Sequence, residues 1–378
     1  MKKRILFLVN SLGQGSGVMS FAMNYYKRID REKYEIDFIF CTEVERSFKE
    51  ELIMSGSNIY YIKRFKTSSI RDYLRFKKDI KIFFDNHGEH YDLIHSHVPL
   101  FTKYFFKEAK RVGIKGRVIH SHSVEQSNSY FKKIRNKFIL RNVFQYTNAY
   151  MSCSKDAAFS LFGKERTNKE VVVIKNAIDT KKYEFNERHR KVIREEFSIQ
   201  DKFVILHVGR LSEEKNHTYM ISIMKELIKY DNNYIMMFVG DGVLYSQLYE
   251  KVKKEGLEEY IIFSGIRNDI NNIMSASDCF ILPSKHEGLG IVTIEAQSNG
   301  LPCLISDLVP DEINLTPLVY RLSIKENEIE WINLINKLKR EKVRKQYIDK
   351  GILESEYDIE SNVKFLEKEY KKIICHNR

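Results

Sequence analysis

The sequence predicts an α/β protein made of two doubly wound parallel-sheet domains, and three observations carry that prediction. Short apolar runs alternate with amphipathic segments along all 378 residues, the pattern of strands covered on both faces by the helices that connect them. The chain is long for one core and suits two. Its glycine-rich and charged segments fall where apolar runs end, which is where ligands sit in doubly wound sheets.

Taken in order, the candidate strands of the first half are Ile5–Val9, Ile36–Phe40, Ile59–Ile62, Leu93–Ile94, Val118–Ile119, Tyr150–Ser152 and Val171–Ile174. Helix-like segments between them include Ser20–Ile29, Ile70–Phe84 and Phe131–Phe144. The second half repeats the scheme with Phe203–Val208, Ile235–Val239, Ile261–Phe263, Phe280–Leu282 and Cys303–Ile305, and the two domains should join near Asn176–Ser198. In the tail, Asp358–Ile374, the residues Val363, Leu366, Tyr370 and Ile373 or Ile374 form one helical stripe. The halves repeat an architecture without repeating a sequence.

Composition removes several classes. No apolar run approaches the ~20 residues of a membrane span. The opening MKKRILFLVN imitates a signal peptide, but its apolar run Ile5–Val9 is shorter than the roughly 7–15 residues required and reads as a first buried strand. The five cysteines, Cys41, Cys153, Cys279, Cys303 and Cys375, are scattered and odd in number, giving neither a disulfide framework nor metal-ligand spacing; a reducing cytoplasm fits. The net charge of +12 resides wholly in the first half, the second being slightly acidic. Such asymmetry suggests a polyanionic partner, nucleic acid or an anionic membrane surface. Ile70–Phe84 and Tyr130–Phe144 interleave Lys and Arg with aromatics at helical spacing, as interfacial helices do.

The strand-end loops carry the chemistry. After the first strand, Gly13, Gly15 and Gly17 precede a helix; glycines there let backbone approach a ligand. Their spacing is not GxGxxG, which disfavours a nicotinamide dehydrogenase. His95, His97, His120 and His122 form two His-Ser-His clusters at strand ends. Residues i and i+2 share a side of a strand, so each cluster presents two imidazoles, predicted to line a cleft. A zinc site is disfavoured, since neither cluster has an evident third ligand or an HExxH helix. In HVGRLSEEKNH, Arg210 and Lys215 flank a loop before a helix, a place to neutralise a diphosphate, although an exposed basic pair beside Glu213 and Glu214 reads as well. FVGDG (238–242) and SGIRND (264–269) are further loops on the same rim.

The stretch Ser284–Gly300 is the most informative. A strand stops at Pro283, a glycine loop follows, and Ile291–Ser298 is helical up to the stop at Asn299-Gly300. The loop and helix N-terminus attract an anion, yet Glu287 lies in the loop and Glu295 eight positions later in the helix. Anion-binding backbone beside two acceptor-only carboxylates suits a ligand with phosphates and hydroxyls, such as a nucleotide sugar.

Arg210 with Lys215, the FVGDG loop, LPSKHEGLGIVTIEA and GLPCLISD together resemble the family 4 retaining glycosyltransferases. The resemblance runs over roughly 1–375 and is strongest from Val208 to Asp311. VMSFAMNYYKRID and VIHSHS are similar to bacterial enzymes of capsular or exopolysaccharide assembly. It implies the GT-B fold: two Rossmann-like domains facing a central cleft, 1–178 for the acceptor and 179–357 for the donor, with the C-terminal helix 358–378 crossing back to the first. By position it implies that Arg210 and Lys215 hold the donor diphosphate, Glu287 takes donor-sugar hydroxyls, and the backbone of Gly288, Leu289 and Gly290 approaches sugar and phosphate. Glu295 would hold the ribose, Ile266 and Arg267 the base, His122 would stand near the sugar and Gly17 beside the phosphate. His95, His97 and His120 are acceptor-side candidates. Met19 replaces an acidic residue, Ser16 a glycine, and Ala177 the glycine of an Asn-Gly-Ile-Asp motif, departures that bear on the acceptor.

The expected reaction is retaining, metal-independent hexosyl transfer from a nucleotide diphosphate sugar, UDP-linked, to a hydroxyl of a lipid-linked glycan. No cofactor is expected, and no DxD pair occurs to bind a metal. The expected location is the cytoplasmic face of the plasma membrane, reached through the basic first domain. A UDP-amino-sugar epimerase of the same fold is the alternative enzyme. A basic nucleic-acid-binding protein is the alternative outside enzymes, disfavoured because no RNA-recognition signature is present.

Overall fold

The computed structural model of the chain describes residues 2–14, 16–65, 69–122, 142–325, 328–344 and 350–376. It divides into two compact units, Met1–Ala177 with Ile359–Arg378, and Ile178–Asp358.

The first unit holds seven parallel strands: β1 (Lys3–Val9), β2 (Tyr34–Phe40), β3 (Ile59–Tyr61), β4 (Leu93–Ser96), β5 (Gly116–Ser121), β6 (Ala149–Ser152) and β7 (Val171–Val173), in the order β3-β2-β1-β4-β5-β6-β7. Alternation along β1 sends Ile5, Phe7 and Val9 to one face and Leu6 and Leu8 to the other. The first face is covered by the helix Gly17–Tyr26 and the C-terminal helix Ile359–His376, through Phe21, Tyr25, Leu366 and Tyr370. The predicted tail stripe is real: Val363, Leu366, Tyr370 and Ile374 are buried there, with Ile373 packed partly against them. On the second face lie the helices Ile70–His87 and Pro99–Arg111, contributing Phe76, Phe84, Phe105 and Phe106.

That packing takes the aromatics of Ile70–Phe84 away from any interface and leaves a smaller exposed face. Phe76, Phe83 and Phe84 are core, and the exposed apolar residues are Ile70, Leu74 and Ile82, set among exposed Arg71, Arg75, Lys78 and Lys81. The other segment read as interfacial, Tyr130–Phe144, and the predicted helix Phe131–Phe144 fall outside the described residues up to position 141.

The second unit has six parallel strands: β8 (Phe203–Val208), β9 (Tyr234–Val239), β10 (Ile261–Gly265), β11 (Cys279–Leu282), β12 (Cys303–Ser306) and β13 (Val319–Leu322), ordered β10-β9-β8-β11-β12-β13. Strand β13 was not predicted. It is a half-buried edge strand, VYRL, whose apolar run is cut by Arg321, and Arg321 donates to the Asp307 carbonyl at 2.9 Å. The segment predicted as a joint, Asn176–Ser198, contains a 3-10 turn, Thr180–Tyr183, and a helix, Glu187–Glu196, within this unit. Arg190 and Arg194 of that helix clamp Asp278 at 2.6 Å each, and Asp278 in turn accepts from the Val204 N–H at 2.8 Å.

In both sheets the strand order reverses once, between β1 and β4 and between β8 and β11. A crevice opens beyond the carboxyl ends of the strands at such a point, because neighbouring loops leave for opposite faces.

Candidate active site

At the reversal point of the second sheet, the loop after β8 meets the loop after β11. They are joined through backbone, with the Lys285 N–H donating to the Glu214 carbonyl at 2.8 Å, and through Asn216, whose side chain donates to the Pro283 carbonyl at 3.2 Å. Asn216 adopts a left-handed conformation, φ 60°, at the start of the helix His217–Leu227, and asparagine tolerates that region better than most residues. The turn aims Lys215 at Glu287, 72 positions away, and the ammonium forms a short ion pair with Glu287 Oε1. Ser284 Oγ donates to the same oxygen at 2.7 Å. Both partners are largely shielded, with side chains 19% and 9% exposed, where the pair is screened far less than a surface one. Arg210, by contrast, is exposed and reaches none of them by a hydrogen bond among the described residues.

The FVGDG glycines bring a third loop against these two. A Cβ at Gly240 would lie 2.1 Å from the Gly209 carbonyl oxygen, and one at Gly242 would lie 2.4 Å from that of Leu211. Only hydrogen at those positions lets the β9 loop approach the backbone on either side of Arg210.

Gly290, φ 79°, ends the β11 loop and starts the helix Ile291–Ser298, so Gly288 and Leu289 stand at a helix N-terminus. Glu295 lies in this helix, half-buried. Burial pushes its carboxyl up to about 7, opposed by the Tyr183 hydroxyl that donates to it and by Lys182. Tyr183 comes from the 3-10 turn, whose carbonyl accepts from Asn299 at 2.7 Å. Sequence reading missed Tyr183, Ser284 and Asn216. Ser284 and Asn216 sit inside recognised motifs, but nothing in the sequence marks Tyr183. Ile266 is exposed, and Arg267 is held by Asp269 at 2.8 Å and Glu196 at 2.7 Å, so that its backbone is the part left for a ligand.

The reversal point of the first sheet carries a pocket of about 360 Å³, bounded by Asn10, Ser11, Ser16 and Met19 after β1, by His97 after β4, and by Ser121 and His122 at the end of β5. Beyond its own chain neighbours, Gly17 has no atom of the described residues within 4 Å of where a Cβ would stand. The four histidines share the sheet face that bears Leu93 and Val118, as their spacing dictates. Only His97 and His122 reach the pocket. His95 and His120 are fully buried, which corrects their prediction as cleft residues: Tyr370 of the C-terminal helix and Phe21 cover them. His95 Nδ1 pairs with the Tyr370 hydroxyl at 2.6 Å and His95 Nε2 with His120 Nδ1 at 3.1 Å. His97 Nδ1 pairs with His122 Nε2 at 2.8 Å. Burial pushes all four imidazoles below their usual range, His122 to about 3, so they are neutral.

His95, His97 and His120 place ring nitrogens within 4.8 Å of one another, the third ligand that neither cluster shows alone and that the adjacent strand supplies. The rings do not fit a metal well. His95 and His97 stack at 4.3 Å, which sets their in-plane lone pairs side by side instead of converging, and both nitrogens of His95 are engaged. The cluster is built as hydrogen-bonded pairs.

Two family models match the chain: "Glycosyltransferase Family 4" over residues 15–182 and "Glycosyl transferases group 1" over 189–351. Among curated relatives, the putative glycosyltransferase EpsF of Bacillus subtilis is 27% identical over 368 residues, spanning 96% of this chain and 94% of that protein. The UDP-Gal:alpha-D-GlcNAc-diphosphoundecaprenol alpha-1,3-galactosyltransferase of Escherichia coli is 27% identical over 324 residues, 78% of this chain and 76% of that one. Among solved structures, HepE of Anabaena in complex with UDP-glucose superposes with a TM-score of 0.76 at 18% identity over 98% of this chain and 99% of its own. WaaG, a glycosyltransferase involved in lipopolysaccharide biosynthesis, does so with 0.69 at 14% over 98% and 99%. The likeness of these structures shows the fold, GT-B, in agreement with the sequence.

Proposed function

Because the chain belongs to the family 4 glycosyltransferases, we propose that it moves a hexose from a UDP-linked donor, with retained anomeric configuration, to a hydroxyl of a lipid-linked glycan in exopolysaccharide or capsule synthesis. The observation that carries this is the Lys215–Glu287 pair at the reversal point of the second sheet. A cation for phosphate and a carboxylate for sugar hydroxyls stand side by side, with Glu295 in the following helix for the ribose. The name of the E. coli relative, with its UDP-linked donor and diphosphoundecaprenol-linked acceptor, supports the donor base and the lipid anchor.

In this reading the bond between the anomeric carbon and the diphosphate oxygen breaks while the acceptor oxygen bonds to the same face of that carbon. The acceptor's proton passes to the departing phosphate. Negative charge grows on the leaving group, and Lys215 and the helix N-terminus at Gly290 are preorganised to meet it, with the exposed Arg210 as a further cation, without a metal. Glu287 keeps Oε2 for a sugar hydroxyl, since Lys215 and Ser284 share Oε1. The first-unit pocket is lined, among the described residues, by no Asp, Glu, Lys or Arg, which suits an uncharged sugar ring. Met19, in place of an acid, contributes to that neutrality.

The donor site is tested by thermal stabilisation with a panel of nucleotides, since a ligand at 100 Kd adds about 2.7 kcal/mol. UDP is expected to raise the melting temperature equally with and without EDTA, and Glu295→Ala to abolish the rise. Burial pushes the free Glu295 carboxyl up to about 7, and ribose hydroxyls donate best to its ionised form. Binding should therefore release a proton and tighten from pH 6 to pH 8, a trend that Glu295→Gln flattens. A panel without any stabilising nucleotide would overturn the donor assignment.

Membrane contact is proposed for the exposed face Ile70, Leu74, Arg71, Arg75, Lys78 of the first unit. No helix among the described residues is long and apolar enough to cross a membrane. Each cation near an anionic surface adds about 1 kcal/mol. The protein is expected to sediment with vesicles rich in phosphatidylglycerol at low salt and to be released at high salt. Absence of binding at low salt would sink the idea.

A further inference from the structure

The pairing of His97 with His122 fixes more than a position. His97 Nδ1 lies 2.8 Å from His122 Nε2, while His97 Nε2 is buried among the rings of Phe7, Phe21 and His95 and has no hydrogen-bond partner among the described residues. A neutral imidazole carries one hydrogen, and the hydrogen-bond network decides on which nitrogen. A buried N–H left unpaired is the rarer and costlier arrangement, compared with an unpaired acceptor. The hydrogen of His97 therefore belongs on Nδ1, where it donates to His122 Nε2. His122 Nε2 must then be the bare nitrogen, and the hydrogen of His122 resides on Nδ1.

We propose that His97 is a positioning residue that holds His122 in its Nδ1–H tautomer, so that His122 meets the contents of the first-unit pocket as a hydrogen-bond donor and not as a base. In that form it donates to an oxygen of the bound sugar or phosphate and leaves the acceptor's proton to another group. The identity of that ligand rests on the transferase reading, but the tautomer does not. A measurement made on the free protein thus separates failure of this proposal from failure of the function.

The test is long-range 1H–15N correlation on protein labelled at histidine nitrogens, in which bare and protonated ring nitrogens have widely separated shifts. His122 in the wild type is expected to show a bare Nε2 and a protonated Nδ1. His97→Asn, whose amide can place an N–H near the position of Nδ1, should preserve that signature. His97→Leu should release it, moving the tautomer ratio of His122 by about tenfold toward Nε2–H, equivalent to about 1.4 kcal/mol. A wild-type His122 protonated on Nε2 overturns the proposal without reference to any variant. So does a His97→Leu protein whose His122 keeps the wild-type signature.

Discussion

Replacing Lys215 with alanine is expected to lower turnover by about 10²–10³-fold, the usual loss when one preorganised charge or donor is removed from a developing oxyanion. The size follows from the geometry. Lys215 is held on a left-handed turn at Asn216 and ion-paired with Glu287, so its position is set before substrate arrives. The same change strips a shielded carboxylate of its partner, which destabilises the fold by itself. The two effects separate in a cycle with Glu287→Gln: the double variant should regain stability relative to Lys215→Ala but not turnover. Sugar transfer from the nucleotide donor measures one, and thermal melting the other. Near-normal turnover in Lys215→Ala would remove Lys215 from the mechanism and leave the pair a structural one.

Gly240→Ala should be the most damaging small substitution in the second unit. Its Cβ would stand 2.1 Å from the Gly209 oxygen and 3.0 Å from the Gly209 carbon, in a backbone with φ +137°. Neither clashing atom belongs to a side chain that could swing aside. Strain from the dihedral and from overpacking together amount to about 3 kcal/mol or more, which lowers the melting temperature by roughly 6–12 °C for a unit of this size. Gly256→Ala is the control, because φ is +66° there but no atom lies within 4 Å. It should cost only about 1 kcal/mol. Equal melting of the two variants would show that the β8 and β9 loops are not packed through backbone as described.

Much of this was legible in the chain. Twelve of the thirteen strands among the described residues announce themselves as apolar runs, the central ones because a strand buried on both faces cannot hide its composition. The missed one, β13, is an edge strand with an arginine in it. Lys215, Glu287 and Glu295 could be singled out because glycines, proline and charge cluster around them at strand ends. The aromatic residues of Ile70–His87 misled for a simple reason: periodicity shows that one face of a helix is apolar but not what covers it, and Phe76, Phe83 and Phe84 are covered by the sheet.

The sequence alone determined two parallel sheets, the residues at their carboxyl ends, and the common face of His95, His97, His120 and His122. All of these depend on spacings of two to four residues, which the backbone geometry of a strand or helix fixes locally. Only the tertiary structure decided which loops become neighbours. Parallel strands are joined by crossovers, so adjacency in the sheet is free of adjacency in the chain, and β8 lies beside β11. That is what sets Lys215 against Glu287, while Tyr183 reaches Glu295 because its 3-10 turn docks on the helix Ile291–Ser298 through Asn299. Burial of His95 and His120 was decided in the same way, by the C-terminal helix that brings Tyr370 onto His95 and the helix Gly17–Tyr26 that brings Phe21 onto His120. A period of two can state that a side chain faces a given layer, but whether that layer is solvent, ligand or another helix depends on packing across nearly the whole length of the chain.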